Sequence, residues 1–463
     1  MRLRSLLACA TTLALTSAGL CAAPALHAAT ADTGDPVISP ALVAEIKAKT
    51  SVRSIIQLKP GQSVAAVATD LEQASEGGRV LERAQSPHFF VAEVDDPTLA
   101  KLKKDNRVES VYKDELSLPI LDVSTNLIRS NRANDAGWTG RGATVAVLDT
   151  GIDRDHPFFA DRLVDEACFS SSDARDGTVS LCPNNQPSQI GAGAANAEIG
   201  QCVVNNANAC SHGSHVAGIA AGKMATGAPS DGVAPAAGIL PIQIFSRVNN
   251  ALTCMARGAL APCYLTYTSD QKLALEYVAR VARNHNVAAV NMSIGGGGPF
   301  SSACDTDATA AAVKPNFDAL VALGVAPVVA SGNDGFLNGV SSPACVSTAI
   351  TVGATDDSDA LTTFTNRGRL VDLLAPGAGI NSSVPDNTYA VQSGTSMAAP
   401  HVAGMFALMK QAYPNFTVAQ SLQRLQATGT PIRYDAGGTQ VTTTRINAER
   451  ATAAAQAAAD PRV

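Results

Sequence analysis

The sequence is poor in aromatic and charged residues, and it contains no basic run and no long apolar run. Aromatic side chains make up 4% of its 463 residues and charged side chains make up 16%. This composition, with abundant Gly and Ala, favours closely packed helices and backbone-lined grooves over an aromatic binding platform. The formal net charge is -6, from 34 basic and 40 acidic residues, which argues against nucleic acid as a partner. No segment after residue 29 has the roughly 18 uninterrupted apolar residues of a membrane anchor.

The first 29 residues have the three-part layout of a secretory signal. Arg2 and Arg4 are followed by a mainly apolar stretch over residues 6–20 and then by small residues. The apolar stretch is too short for a membrane-spanning helix. Cleavage could fall after any of three alanines: Ala25, Ala28 or Ala29. The sequence therefore predicts a secreted protein, extracellular or periplasmic.

Residues 30–118 differ from the rest of the chain because they are richer in charge and lack glycine-dense loops. The chain exceeds the roughly 250 to 300 residues at which a single core stops growing, so a separate folded unit is expected. The hydrophobic pattern predicts the order βαββαβ, with strands at 51–61, 78–85, 88–95 and 107–115 and helices at 65–74 and 97–105. A unit of this order can fold as a small ferredoxin-like α+β domain.

From about residue 125 onward, short runs of Val, Ile and Ala alternate with helical segments. These runs are too apolar for strands with one wet face, and they predict an α/β domain whose mostly parallel sheet is covered by helices on both sides. The predicted strands are 143–149, 238–245, 287–294, 325–331 and 348–354, and the predicted helices are 212–222, 270–284, 316–324, 395–413 and one within 444–460. Ligands bind such sheets at the carboxyl ends of strands, where Asp149, Ser293 and Asn333 are expected.

Three segments carry the residue types of a nucleophilic mechanism. VAVLDTGID contains Asp149, HGSHVAG begins with His212, and SGTSMAAPHVAG contains Ser396. A serine hydroxyl is a weak nucleophile at neutral pH and needs an imidazole to accept its proton. The imidazole in turn needs a carboxylate to fix its tautomer. We therefore predict Asp149, His212 and Ser396 to be the acid, base and nucleophile of a hydrolase.

The negative charge formed when a serine attacks a peptide carbonyl also needs stabilisation. Ser396 lies where a helix is expected to begin, and the free N–H groups and dipole of a helix start favour negative charge. Asn333, in VVASGNDG after a buried strand, is the predicted side-chain donor to this oxyanion, together with the backbone N–H of Ser396.

Three nearby residues are expected to have structural roles. His215 lies one turn after the predicted base and should face the interior. Asp153 should act as a hydrogen-bonding or capping group. Pro400 is unusual inside a helix, so it should kink the helix or lie where its neighbour turns away.

Residues 140 to about 450 resemble the subtilisin-like serine proteases, the subtilases. The resemblance is carried by the three segments above, the asparagine segment, GVAPAAGILPIQIF at 232–245 and VNMSIGG at 290–296. It implies a subtilisin-like three-layer fold and cleavage of many sequences through backbone recognition. Two segments would line the substrate: Ser293, Ile294 and Gly295 as the strand that pairs with it, and Ala330, Ser331 and Gly332 as the other wall of the first specificity pocket. Ser214 departs from the family pattern, in which threonine is usual.

The N-terminal pattern also resembles the propeptide of subtilase precursors. This resemblance implies a folding assistant that is also an intramolecular inhibitor until it is cut away. The predicted organisation is a signal peptide at 1–29, a propeptide domain at 30–118 and a catalytic domain at 119–463. The junction is expected within 113–125, where no single bond can be chosen.

Eight cysteines remain after the predicted signal, and an even number in an exported chain predicts disulfides. We hypothesise sequential pairs, the first three each closing one polar insertion: Cys168 with Cys182, Cys202 with Cys210, Cys254 with Cys263, and Cys304 with Cys345. A zinc site at Cys202, Cys210 and His212 is the competing interpretation. It would consume the predicted base, and the chain has no paired CxxC.

The predicted function is that of a secreted serine endopeptidase, a monomer that acts on polypeptides and is matured by self-cleavage. No cofactor is required for this chemistry, and structural calcium is a hypothesis with no assigned ligands. No acidic cluster is expected at the pocket floor near Ser341, so large apolar residues should be accepted without a strict preference for Lys or Arg. The alternatives are an exopeptidase or peptide ligase on the same scaffold, and an inert binding protein, which the intact set of candidate residues argues against.

Overall fold

The computed structural model describes residues 36–459 except 39, 50, 75–78, 83–88, 114–120 and 308–309. The predicted signal peptide, with Cys9 and Cys21, and most of the predicted junction lie outside the described residues. The chain separates into two compact units, Met1–Ser117 and Leu118–Val463. Within the described ranges, no helix has both the length and the apolar character needed to cross a membrane.

The N-terminal unit is built on a five-stranded sheet. Its elements are β1 (Val37–Ile38), α1 (Pro40–Ala48), β2 (Val52–Leu58), α2 (Val64–Ala74), β3 (Arg79–Glu82), β4 (Phe89–Val94), α3 (Asp96–Leu102) and β5 (Val108–Lys113). The strand order is β1-β5-β2-β4-β3, and all neighbours are antiparallel except β1 and β5. The predicted βαββαβ order is confirmed from β2 to β5, whereas β1 and α1 were not predicted.

The C-terminal unit alternates strands and helices. Its helices are α4 (Leu121–Leu127), α5 (Ser130–Asp135), α6 (Ser211–Ala221), α7 (Ala251–Met255), α8 (Thr268–Val281), α9 (Lys314–Ala322), α10 (Thr395–Ala412), α11 (Val418–Thr428) and α12 (Ala448–Ala459). Its strands are β6 (Thr144–Asp149), β7 (Ala167–Phe169), β8 (Thr178–Ser180), β9 (Ser188–Ile190), β10 (Val203–Val204), β11 (Ala207–Asn208), β12 (Gly238–Gln243), β13 (Ser246–Val248), β14 (Cys263–Leu265), β15 (Val287–Met292), β16 (Gly296–Phe300), β17 (Ala326–Ala330), β18 (Val340–Ser342), β19 (Ile350–Thr355), β20 (Leu373–Pro376), β21 (Ile380–Val384), β22 (Thr388–Gln392), β23 (Thr430–Ala436) and β24 (Thr439–Arg445).

A ten-stranded sheet forms the centre of this unit, in the order β23-β24-β20-β19-β17-β15-β6-β12-β7-β9. Neighbours from β24 to β7 are parallel, and only the edge strands β23 and β9 pair antiparallel. Every residue of β6, β15, β17 and β19 is buried. Burial on both faces is what a parallel sheet under two helical layers requires, so the predicted mostly parallel sheet is confirmed.

Alternate residues of β6 belong to the two cores on either side of the sheet. Val145 and Val147 pack with the apolar residues of α6 and α10, whereas Ala146 and Leu148 pack with those of α8 and α9. This alternation follows from the two-residue period of a strand. The unit therefore has three layers, with α6 and α10 on the same face of the sheet.

The hypothesised sequential disulfides are confirmed: Cys168–Cys182, Cys202–Cys210, Cys254–Cys263 and Cys304–Cys345. The zinc interpretation is wrong, because Cys202 and Cys210 are bonded to each other. Both belong to a small cluster of buried residues immediately before α6.

Candidate active site

Asp149 is the last residue of β6, at the carboxyl edge of the central sheet. Its side chain is 1% exposed, and Oδ1 accepts a hydrogen bond of 2.7 Å from the backbone N–H of Thr150. The chain turns away at Gly151, whose φ is +95° and where a Cβ would lie 2.7 Å from the carbonyl oxygen of Ala195. Glycine alone suits this turn, so the DTG sequence keeps the carboxylate at the edge of the sheet.

His212, in the first turn of α6, donates its Nδ1 proton to Asp149. The distances from Nδ1 to Oδ1 and Oδ2 are 2.8 Å and 3.0 Å, which leaves Nε2 as the proton acceptor. Hydrogen bonds of Thr150 connect the start of α6 to the turn after β6. Its Oγ1 accepts from the N–H of Gly213 at 2.9 Å and donates to the carbonyl oxygen of Cys210 at 3.0 Å.

Two opposing effects act on the pKa of His212. Burial disfavours the charged imidazole, but the negative charge of Asp149 and its hydrogen bond outweigh burial and raise the pKa of His212 above its ordinary value. The side chain is 30% exposed, so solvent and ligands can reach it. A raised pKa makes the neutral ring a stronger proton acceptor.

His215 is fully buried and faces the interior, as predicted. Its Nε2 lies 3.0 Å from the carbonyl oxygen of Ile380 and 2.9 Å from that of Ala390, so its N–H donates into the β21–β22 hairpin. Burial lowers the pKa of His215 to about 3. The neutral ring therefore links α6 to this hairpin.

Ser396 is the second residue of α10, and its Oγ lies 3.4 Å from the carbonyl oxygen of Ser293. The carbonyl of Ser396 lacks the usual i+4 donor of an α-helix, because Pro400 has no N–H. The Ser293 hydroxyl takes the place of that donor at 2.8 Å. The helix therefore continues through Pro400 to Ala412.

The helices that carry His212 and Ser396 pack closely together. A Cβ added to Gly404 of α10 would lie 2.7 Å from the carbonyl oxygen of Ala220 of α6. No hydrogen bond joins His212 to Ser396 among the described residues, where His212 bonds Asp149 and Ser396 bonds Ser293. Catalytic hydrogen bonds are often long before substrate binds, so this arrangement is compatible with proton transfer in a complex.

Asn333 lies in the turn after β17, beside the start of α10. Its Oδ1 accepts two hydrogen bonds from Thr395, at 2.8 Å from the backbone N–H and 2.9 Å from Oγ1. Because Thr395 holds the amide oxygen, Nδ2 is the group that can donate to a ligand. Thr395 was not singled out from the sequence, where its position directly before Ser396 was the available signal.

One predicted substrate segment, Ser293–Ile294–Gly295, follows the end of β15. These residues lie outside the strand pairings of the described chain, which end at Met292 and resume at Gly296, and Gly295 is exposed. A Cβ added to Gly295 would lie 4.0 Å from the Cα of Gly332 in the other predicted segment. The two segments thus lie close to each other.

The second segment is held rigidly by its neighbours. Ala330 ends β17, and the Ser331 N–H donates to the carbonyl oxygen of Val352 at 2.9 Å. The buried Ser331 hydroxyl donates to the carbonyl oxygen of Asn366 at 3.0 Å. Gly332 has a φ of +106°, and a Cβ there would collide with the Asn366 side chain. Ala330, Ser331 and Gly332 are therefore buried and held by neighbouring strands and by Asn366.

The exposed carboxylate of Asp334 lies beside Ser341. Ser341 Oγ donates to Oδ2 of Asp334 at 3.1 Å, and Asn366 Nδ2 lies 3.1 Å from the same oxygen and 3.0 Å from Ser341 Oγ. No acidic cluster was predicted near Ser341, and Asp334 was not among the predicted site residues. Because both neutral donors engage Oδ2, Oδ1 of Asp334 keeps its capacity to accept.

Comparisons with known proteins identify the family of the chain. A family model described as the subtilase family matches residues 140–450. Subtilisin E of Bacillus subtilis is 29% identical over 392 residues, which cover 83% of this chain and 87% of the relative. A thermostable alkaline protease of Halalkalibacterium halodurans is 32% identical over 343 residues, which cover 73% and 77%. A solved cold adapted subtilisin-like serine proteinase is 27% identical with a TM-score of 0.47, covering 67% of this chain and 90% of that one.

Proposed function

Because the chain belongs to the subtilase family and is a serine-type endopeptidase, we propose that Asp149, His212 and Ser396 are its acid, base and nucleophile. The observation that carries the proposal is the hydrogen bond of 2.8 Å between His212 Nδ1 and the buried carboxylate of Asp149. That bond fixes the tautomer in which Nε2 accepts a proton. It also stabilises the imidazolium that forms.

The reaction follows from these groups. His212 Nε2 takes the proton of Ser396 Oγ as that oxygen attacks the substrate carbonyl carbon, and the imidazolium then gives the proton to the leaving amine. The acyl group remains on Ser396 until water, deprotonated by the same imidazole, attacks the ester carbonyl and releases the acid.

We propose that the oxyanion accepts hydrogen bonds from Asn333 Nδ2 and from the backbone N–H of Ser396. Both donors are fixed before substrate arrives, Asn333 by Thr395 and the N–H by its place at the start of α10. Fixed donors are worth more than mobile ones because they need no reorganisation during the reaction.

Substrate is proposed to bind as an extended chain against Ser293, Ile294 and Gly295. The backbone of this segment lies outside the described strand pairings and can form a ladder with any sequence, which supports broad specificity. Ala330, Ser331 and Gly332 are proposed as the opposite wall of the first specificity pocket. The Ser341 region at its floor is proposed to accept large apolar side chains.

The organisation of the precursor is also a proposal: a signal peptide at 1–29, a propeptide domain at 30–118 and a catalytic domain at 119–463. The ferredoxin-like order of β2 to β5 supports a propeptide that inhibits the enzyme until it cleaves itself free. Four disulfides support export to an oxidising compartment, extracellular or periplasmic. We propose that the mature enzyme is a monomer that needs no cofactor for catalysis.

The test expresses the full precursor beside its Ser396→Ala variant, with Ser393→Ala as the matched control. Ser393 lies three residues before Ser396, is exposed, and accepts only the N–H of Gly379 at 2.9 Å among its described contacts. The wild type and the control should both shorten to the mature size and digest casein, and Ser396→Ala should do neither. Maturation and casein digestion by Ser396→Ala would refute the proposal.

A further inference from the structure

A cavity lined by arginines lies outside the candidate active site. Its volume is about 600 Å³, and four of its ten lining residues are arginines, whereas none is acidic. The four are Arg129, Arg132, Arg445 and Arg450. In a chain whose formal net charge is -6, such a concentration of positive charge should attract anions to this one place.

The cavity lies where the first and last segments of the C-terminal unit meet. Residues 123–132 supply one part of its lining, and residues 445–450 with Thr430 supply the other. The backbone N–H of Ala448 donates to the carbonyl oxygen of Ile128 at 2.7 Å, which joins the two parts. A ligand in the cavity would therefore contact both segments, which are far apart in sequence.

Two of the lining side chains are almost completely buried. Arg445 is 5% exposed, and its Nε and Nη2 hold the carboxylate of Asp359 at 2.7 Å and 2.8 Å. Asp359 thus neutralises Arg445 and fixes its position. Asn447 is 6% exposed, and its Oδ1 accepts from the N–H of Arg450 at 3.0 Å. Its Nδ2 has no hydrogen-bond partner within the part of the chain that the structure describes, so this group can donate to a ligand.

The other three arginines are exposed and lack a strong counter-ion. No ion pair within the described ranges includes Arg129 or Arg450. Arg132 lies 4.0 Å from Asp135, and both side chains are mostly exposed, so this pair contributes little. Arg129 also has a left-handed backbone (φ 61°), which is uncommon for arginine. Strained residues of this kind cluster at ligand-binding and active sites.

We propose that this cavity binds an oxyanion with two or three negative charges, held by the three exposed arginines and by Nδ2 of Asn447. A guanidinium group offers parallel N–H donors in one plane, which match the oxygens of a carboxylate or a phosphate. The bound anion should link the start of the C-terminal unit to its end. The site does not depend on the proposed catalytic roles.

The test titrates the full chain with inorganic phosphate and with tricarballylate, a tricarboxylate, by isothermal titration calorimetry. A Ser396→Ala background serves as the parent and prevents self-digestion. The Arg129→Gln/Arg450→Gln variant removes two of the lining charges. Arg283→Gln/Arg433→Gln is the matched control, because both arginines are exposed, lie outside the cavity and carry the same total charge. The control therefore reports any effect of net charge alone.

The parent and the control should each bind one anion per chain. The cavity variant, Arg129→Gln/Arg450→Gln, should bind it roughly 10-fold more weakly or worse, because each arginine supplies charge-assisted hydrogen bonds. Without added anion, the Tm of the cavity variant should be no lower than that of the control, since repulsion among the arginines is relieved. Binding of either probe supports the site, and the tighter probe indicates whether the ligand carries carboxylates or phosphate.

Three results would overturn the proposal. The first is the absence of saturable binding of both probes by the parent. The second is an equal loss of binding in the cavity variant and the control. The third is a lower anion-free Tm of the cavity variant than of the control, which would show that the arginines stabilise the fold without a ligand.

Discussion

Replacing Thr395 with valine tests how the oxyanion donor is positioned. Valine keeps the shape of threonine but removes the hydroxyl that donates to Asn333 Oδ1 at 2.9 Å, while the backbone N–H of residue 395 still donates at 2.8 Å. One neutral hydrogen bond contributes about 0.5 to 1.5 kcal/mol, which corresponds to a roughly 2- to 13-fold change in rate. Losing the amide donor itself costs roughly 100- to 1000-fold in kcat, a value measured on subtilisin.

We therefore expect Thr395→Val to lower kcat by roughly 2- to 13-fold with little change in KM, measured with a chromogenic peptide. Thr395→Ser keeps the hydroxyl and should remain near wild type. In an Asn333→Ala background, Thr395→Val should have a much smaller effect, because no amide remains to be oriented and only the 3.3 Å hydrogen bond from the Gly332 N–H is lost. An undiminished loss in that background would refute the reasoning, since Thr395 would then act on something other than Asn333.

Three further predictions concern the base, the nucleophile and the disulfides. Because Asp149 raises the pKa of His212 and only the neutral ring accepts a proton, the acid limb of kcat/KM should have its midpoint above pH 6.5. Asp149→Asn should move that midpoint down and lower kcat by a factor on the order of 10⁴, and an unmoved midpoint would contradict the assignment. Ser293→Ala leaves the Ser396 carbonyl without a donor and should cost about 1 to 3 kcal/mol in thermal unfolding, with a loss of kcat. An unchanged Tm and kcat would show that the hydrogen bond from Ser293 to the Ser396 carbonyl does not stabilise the start of α10. Removing Cys304–Cys345, which spans 41 residues, should cost about 4 kcal/mol in denaturant unfolding, against about 2.5 kcal/mol for Cys202–Cys210, which spans 8. A reversed order would count against the loop-entropy explanation.

The parts of the fold that the sequence predicted are those with a strong local signal. β6, β15 and β17 are runs of buried apolar residues, so both their existence and the position of Asp149 at a strand end followed from the pattern. The disulfide pairs were predictable because three of them close short loops. The pairing of β21 with β22 and of β23 with β24 was not, since neither hairpin has the apolar runs of the central strands.

The contacts that were missed join residues far apart in sequence. Asn333 and Thr395 are 62 positions apart, and Asn387 and Asp153 are 234 apart. Their hydrogen bonds depend on side-chain direction and on how loops return to the sheet edge, which hydrophobic periodicity does not report. Glu198 is an ordinary polar residue in an insertion until the fold brings it beside Asp153.

The central claim is that Ser396 is activated by His212 at the edge of the sheet. Labelling the mature enzyme with a fluorophosphonate and mapping the modified peptide tests it most directly. We predict a single phosphonylated residue, Ser396, labelled at least 100-fold more slowly in His212→Ala. A label on any other residue, or a labelling rate unaffected by loss of His212, would contradict the claim.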